Sequence, residues 1–202
     1  MFQNGAQSTI IYGILSLVKP AARVLDLGCG DGGLLLELLK ARDIIPQGLD
    51  LKEEAVLACL AKGIPAIQAD LEDELRHFKD HQYDVVILSR TLQVLQNPER
   101  VLKEMVRVGL QAIVVFPNFG HWSIRFKLLL RGRMPKSQDL PFEWYNTPNI
   151  HNLTLRDFYE SCRLLGIRIV KAFFFTSRFL QPLVGLNPNL LAHEALFVLR
   201  QN

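Results

Sequence analysis

Val24-Leu25-Asp26-Leu27-Gly28-Cys29-Gly30-Asp31-Gly32 is the stretch on which the fold turns. Arg23–Leu27 reads as a buried strand, and the glycines at 28, 30, 32 and 33 end it before the leucine-rich Leu34–Lys40 begins a helix. Gly28, Gly30 and Gly33 satisfy G-x-G-x-x-G in the strand, turn, helix setting that this spacing requires. Glycine lets the backbone turn sharply and approach a ligand closely, while the helix N-terminus offers free N–H groups and partial positive charge.

Outward from this unit the alternation continues. Gln47–Leu51 reads as a short strand, Lys52–Lys62 as a helix, Ile64–Ala69 as a strand, and Tyr83–Ser89 as another built on Val85-Val86-Ile87-Leu88. Pro98 and Glu99 suit a helix's first turn, apolar residues follow at 101, 102, 105, 106 and 108, and Gly109 stops the helix before the strand Ala112–Phe116. Thr154 with Asp157 resembles a capping box for a helix Leu155–Leu165 ended by Gly166. Ile167–Phe175 and Ala195–Leu199 supply two last strands. Thr176–Glu194 between them holds two prolines and no strong helical period, so this pair is free to be adjacent and antiparallel. Ile10, Ile11, Ile14, Leu15 and Val18 make Ser8–Val18 a helix packed on the same body. The sum is an α/β chain of seven strands whose parallel sheet needs cover on both faces.

With 202 residues, 49% hydrophobic and 21% charged, the chain suits one well-packed domain over 1–202. A net charge of +3 is too small a field to imply nucleic acid or an anionic membrane as partner, and no apolar run reaches the length of a membrane span. Cys29, Cys59 and Cys162 have no short pairing or zinc-ligand spacing, which fits a reducing, cytoplasmic location. His77 and His81 lack a third ligand nearby, so no metal is expected.

Asp26 narrows the ligand. A carboxylate two residues before the first glycine would repel a dinucleotide's pyrophosphate, whereas S-adenosylmethionine has no phosphate and carries an α-ammonium and a sulfonium. The segment from Val24 through Cys29, Gly30, Asp31 and Gly32 closely resembles motif I of class I methyltransferases. Asp50, followed by Leu51, stands about 20 residues after the loop, where a carboxylate takes both ribose hydroxyls. In the same family pattern Asp70 falls where a side chain reaches the adenine amino group, with Leu71 beside it and Ser89 at the end of the fourth strand. Each acid has a plain structural alternative: Asp26 as a strand-end acid, Asp50 and Asp70 as helix caps. Taken together, behind motif I, the three favour a nucleoside crevice.

The second half of the chain is more specific. Ser89-Arg90-Thr91-Leu92-Gln93, Phe116-Pro117-Asn118-Phe119-Gly120-His121-Trp122, Gly132-Arg133-Met134-Pro135 and Trp144-Tyr145-Asn146-Thr147-Pro148-Asn149-Ile150-His151 resemble, in that order and spacing, the methionine-biosynthesis MetW family. The family more often has Glu where Asp50 stands, which keeps the carboxylate. The resemblance implies a Rossmann-like three-layer sandwich, a mostly parallel sheet with one antiparallel strand. It also implies S-adenosylmethionine, or S-adenosylhomocysteine, as ligand. The partner it implies is a MetX-type homoserine O-acyltransferase, for which this chain acts as required accessory or activator. No G-x-S-x-G elbow is present, so the acylation chemistry would be the partner's.

The alternative is catalytic methyl transfer to a small molecule, which needs positioning and desolvation and, for some acceptors only, a base. His121, beside Trp122, and Arg90 or Thr91 are the candidates, against capping, packing and surface roles for the same residues. The nucleobase-methylating pattern Asp/Asn-Pro-Pro-Tyr is missing after the fourth strand. A helix and loop insertion is expected at about 118–153. Its Trp122–Gln138 part is basic with no acid, which suits a cover over the crevice or a docking surface better than a helix that meets a membrane or nucleic acid. Its Pro135–Leu153 part, with Trp144 and Tyr145, has the aromatic content of an interface core or is a loop packed on its own domain.

Overall fold

The computed structural model describes residues 2–136 and 142–202, with the backbone alone for 2–8. Along the chain run α1 (Phe2–Leu15), β1 (Arg23–Leu27), α2 (Gly33–Arg42), β2 (Ile45–Asp50), α3 (Glu53–Ala61), β3 (Ala66–Gln68) and the short α4 (Leu71–Glu74). They are followed by β4 (Tyr83–Ser89), α5 (Pro98–Val108), β5 (Gly109–Pro117), α6 (Trp122–Arg131), α7 (Leu155–Leu165), β6 (Ile167–Phe175), the short α8 (Pro188–Leu191) and β7 (Glu194–Gln201). The strands form one sheet in the order β3-β2-β1-β4-β5-β7-β6. All neighbours are parallel except the two pairings of β7, so β7 is the one antiparallel strand.

Because successive strand side chains point to opposite faces, each central strand feeds two cores. Leu25, Leu27, Val86, Leu88, Val114, Phe116 and Phe197 pack toward α5 and α7. Val24, Val85, Ile87, Ile113, Val115 and Leu196 pack with residues of α1, α2 and α3. On the first face Phe116, Phe158 and Phe197 interlock with ring centroids 4.7–5.6 Å apart. This gives the three layers and the α/β class expected from the sequence.

Several boundaries move for local reasons. β2 begins at Ile45 rather than Gln47, since the Ile45 N–H donates to the Ala22 carbonyl (2.9 Å) and Pro46, with no N–H to give, still lies opposite Val24. β3 is an edge strand shortened to three residues after Pro65. α1 spans 2–15 instead of 8–18, with Ile10 and Ile14 buried and Val18 buried beyond its end. The β6–β7 connection contains no long crossover helix, but its two prolines each open a short helical turn, Gln181–Leu186 and α8. α7 has the full capping box: the Thr154 N–H donates to Asp157 Oδ2 (2.8 Å) and the Asp157 N–H to Thr154 Oγ1 (3.3 Å). α6 stops at Arg131, where Gly132 takes a left-handed φ of 56°; Gln138 and the rest of 137–141 lie outside the described residues.

Candidate nucleoside crevice

The glycine loop is built by backbone bonds between β1 and β2. The N–H groups of Gly28 and Cys29 both donate to the Leu49 carbonyl, at 2.7 and 3.1 Å, and the Gly30 N–H donates to Asp50 Oδ2 at 2.9 Å. Gly28, Gly30 and Gly32 all have positive φ, at 72°, 55° and 73°. At Gly28 a Cβ would stand 2.6 Å from Thr91 Oγ1, and at Gly32 2.8 Å from Cys59 Sγ, so packing as well as φ forbids a side chain. A Cβ on Gly30 would meet nothing within 4 Å. The loop therefore presses its first and third glycines into the protein and leaves the second facing open space.

Asp26 lies at the end of β1, 2% exposed, and its Oδ1 has no hydrogen-bond partner. Burial, and secondarily the carboxylate of Asp50, raise its pKa from 3.8 to about 7. A buried polar atom without a partner is costly and rare in a native fold. Asp50 Oδ1 also accepts the Lys52 N–H (3.0 Å), so this carboxylate anchors the loop and the approach to α3 at once. Each of its oxygens retains a second lone pair. Asp70 caps α4, its Oδ1 accepting the Glu72 N–H (2.9 Å), with Leu71 buried behind it and Leu51 exposed next to Asp50. Asp31 forms a salt bridge with Lys62 (2.6 Å), which holds its pKa low. Cys29 Sγ sits 3.6 Å from Cys59 Sγ, and burial pushes both thiols up.

The strand ends bring Asp26, Asp50, Asp70 and Ser89 to one edge, since β3, β2, β1 and β4 are consecutive neighbours running the same way. Ser89 ends β4, its carbonyl accepting from Thr91 Oγ1 (3.1 Å). Thr91, weighed from sequence only as a reaction candidate, instead forms the floor beneath Gly28. Arg90 has a left-handed φ of 58° and grips buried Glu194 with both forks, Nε to Oε1 at 2.7 Å and an Nη to Oε2 at 2.8 Å. It ties β4 to the start of β7 across β5. His121 caps α6: its Nδ1 accepts the Ser123 N–H, and its ring stacks 3.8 Å from His193. Burial, then His193, lowers its pKa to about 4, so the ring is neutral, and its Nε2 has no partner.

Glu194, His193, Cys59 and Lys62 were not legible as site residues, because each meets its partner only through long-range packing. The same holds for Asn118, buried, which donates from Nδ2 to the carbonyls of Asn189 (3.0 Å) and Ala192 (2.8 Å) and fixes the root of the segment between β5 and α7. A separate cavity of about 580 Å³ lies between the start of α5 and α7, bordered by Leu92, Asn97, His151 and Phe158 among others. Gln96 and Asn97 of its lining donate their N–H groups to the carboxylate of Glu72, which follows Asp70 and Leu71 in the chain. Among the described residues no group of three or more His, Cys, Asp or Glu is placed to hold a metal, and no helix is long and apolar enough to cross a membrane.

The fold, as distinct from the site, has solved counterparts. A methyltransferase from Mesorhizobium loti, described as S-adenosylmethionine dependent, superposes with a TM-score of 0.71 at 17% identity, covering 100% of both chains. Magnesium protoporphyrin IX methyltransferase from Synechocystis, solved with bound SAM, superposes at 0.62 with 16% identity over 100% of this chain and 80% of its own. These show the class I methyltransferase fold. A bifunctional methionine biosynthesis protein MetXA/MetW of Rhodopirellula baltica is 37% identical over 172 residues, 80% of this chain and 27% of its own length. The chain spans about a quarter to a half of the length of the curated relatives it matches. The profile described as methionine biosynthesis protein MetW matches residues 10–199, and the chain belongs to that family.

Proposed function

We propose that this protein binds S-adenosylmethionine or S-adenosylhomocysteine in the crevice and serves as accessory partner of a MetX-type homoserine O-acyltransferase. The observation that carries the ligand is Asp26: a buried carboxyl oxygen without a partner, beside a glycine whose free side is open, fits the α-ammonium of a cationic amino-acid tail. Asp50, with one lone pair left on each oxygen, would hold the ribose hydroxyls. Asp70 would take the adenine amino group, with Leu51, Leu71 and Ser89 flanking the rings. The glycine loop, Gly28 to Gly32 with Cys29 and Asp31, would shape the tail's bed. When bound, the nucleoside supplies an activated methyl group or, demethylated, a product signal.

The partnership is supported by the Rhodopirellula baltica relative, whose name joins MetXA and MetW in one polypeptide. A cytoplasmic location goes with that role. The test is calorimetry of the folded protein with S-adenosylmethionine and S-adenosylhomocysteine, and co-purification with the acyltransferase. No heat with either nucleoside removes the ligand; no co-purification and no change in acyltransferase activity remove the partner.

A second reading, methyl transfer to a small molecule, is favoured by the cavity between α5 and α7, roomy enough for an acceptor. Methyl transfer from labelled cofactor into small metabolites distinguishes it, and an inert protein in that assay eliminates it.

A further inference from the structure

The segment between β5 and α7 is fixed at both ends, and between them its described residues expose a run of apolar side chains. Asn118 holds its start. The N–H groups of Ile150 and His151 both donate to the Gln93 carbonyl, and the Phe119 N–H donates to the Leu153 carbonyl. Between these anchors α6 buries only Ile124. Trp122, Phe126, Leu129 and Leu130 follow i, i+4, i+7, i+8 spacing, so they share one helix face. All four are exposed, Leu129 by 81%. Beyond the helix, Trp144 is 74% and Tyr145 69% exposed, packed edge to face on each other at 5.6 Å. A link from Lys127 Nζ to the Lys136 carbonyl (3.1 Å) and from Lys136 Nζ to Glu143 (2.7 Å) ties the two parts together.

Other large apolar side chains are exposed elsewhere, Phe179 and Leu186 among them, but four on one helix face beside an exposed Trp-Tyr pair make a recognition surface, since single exposed apolar residues are ordinary and a clustered set is not. Its chemistry selects the occupant. Arg125, Lys127, Arg131, Arg133 and Lys136 occur along it and no Asp or Glu from 118 to 136. Lys136 is paired with Glu143 and Arg125 donates to the Gly120 carbonyl, which leaves Lys127, Arg131 and Arg133 as the basic rim. Both tryptophans of the chain are here. Trp, Tyr, Phe, Met and Arg are the residues enriched in protein interface cores, whereas a ten-residue helix is short for a membrane-surface element.

We infer that the exposed aromatic face formed by α6 and Trp144-Tyr145 is the surface on which the acyltransferase docks, through an apolar patch rimmed by acidic residues on that partner. This rests on the partnership proposed above. The basic rim steers the two together and the aromatic centre holds them.

The whole protein is used, with Leu129→Asp and Trp144→Ala as separate variants and, as control, Leu164→Asp at an exposed position of α7. Affinity for the acyltransferase is measured by surface plasmon resonance at two salt concentrations. The expected result is a loss of about thirty-fold or more for each interface variant, none for the control, and weakening of the wild type by salt. With 5-fluorotryptophan in this chain, the ¹⁹F resonances of Trp122 and Trp144 should both shift on adding the acyltransferase. If wild type binds the acyltransferase and both variants bind it equally well, the docking surface is wrong while the partnership stands. If wild type does not bind at all, the partnership itself has failed. Two other results also overturn the assignment. In one, Leu129→Asp abolishes binding to vesicles of phosphatidylglycerol and phosphatidylcholine but spares the acyltransferase. In the other, it splits a homodimer and spares the acyltransferase.

Discussion

Asp26 ties the fold's stability to its ligand, and the coupling has a sign. Its carboxyl moves from 3.8 to about 7 on folding, so between those values the unfolded chain is ionised and the native chain is still protonated. The unfolded state then binds fewer protons, and stability falls as pH rises through this window. The relative stabilisation is complete below about pH 4 and gone above about pH 7, a difference of roughly 4 kcal/mol from this one group. Asp26→Asn should remove that slope. Urea unfolding of both proteins at pH 5 and pH 8 should show the variant gaining on the wild type by a few kcal/mol at the higher pH, other carboxyls cancelling in the comparison. A cationic ligand reverses the argument, because its ammonium favours the ionised form. At pH 6 about nine-tenths of Asp26 is protonated, so binding should release close to one proton, and at pH 8 close to none. Calorimetry in buffers of different ionisation enthalpy reads this release directly, and affinity should fall about tenfold for each pH unit below 7. Asp26→Asn should release no proton and bind on the order of a hundred-fold more weakly. Binding with no proton release at pH 6, at unchanged affinity from pH 6 to pH 8, would refute the role given to Asp26.

Three further outcomes follow from the same geometry. Gly30→Ala, whose new methyl meets nothing, should cost only about 1 kcal/mol of stability while obstructing nucleoside binding; Gly28→Ala, driven into Thr91, should cost about 2–4 kcal/mol, both read by denaturant midpoints. Arg90→Ala removes the bidentate partner of buried Glu194 and should destabilise by about 3 kcal/mol, with most of the loss recovered in the double variant carrying Glu194→Gln. Thr154→Ala takes one side of the α7 capping box and should lower stability by about 1 kcal/mol without altering ligand affinity.

What the sequence alone determined is the part of the molecule governed by short-range rules. The apolar runs at 24–27, 85–88 and 112–116, the glycines after Leu27, and the Thr154-Asp157 box each act within a few residues, so strand, turn and helix were legible where period and cap agreed. That the glycine loop and the acids at 26, 50 and 70 gather at one edge was legible too, because a parallel sheet brings consecutive strand ends together. The extent of edge strands was not: β3 depends on what Gly48 and Pro65 offer each other across the sheet. Only tertiary structure decided which groups answer one another. Arg90 closes on Glu194, 104 residues away, His121 stacks on His193, and Thr91 rises under Gly28. It also decided that Asp26 keeps an oxygen without a protein partner while Asp31 does not. Spacing fixes what neighbours along the chain can do, but burial and the meeting of distant side chains are properties of the packed whole. The charge state of Asp26 is therefore set by the fold.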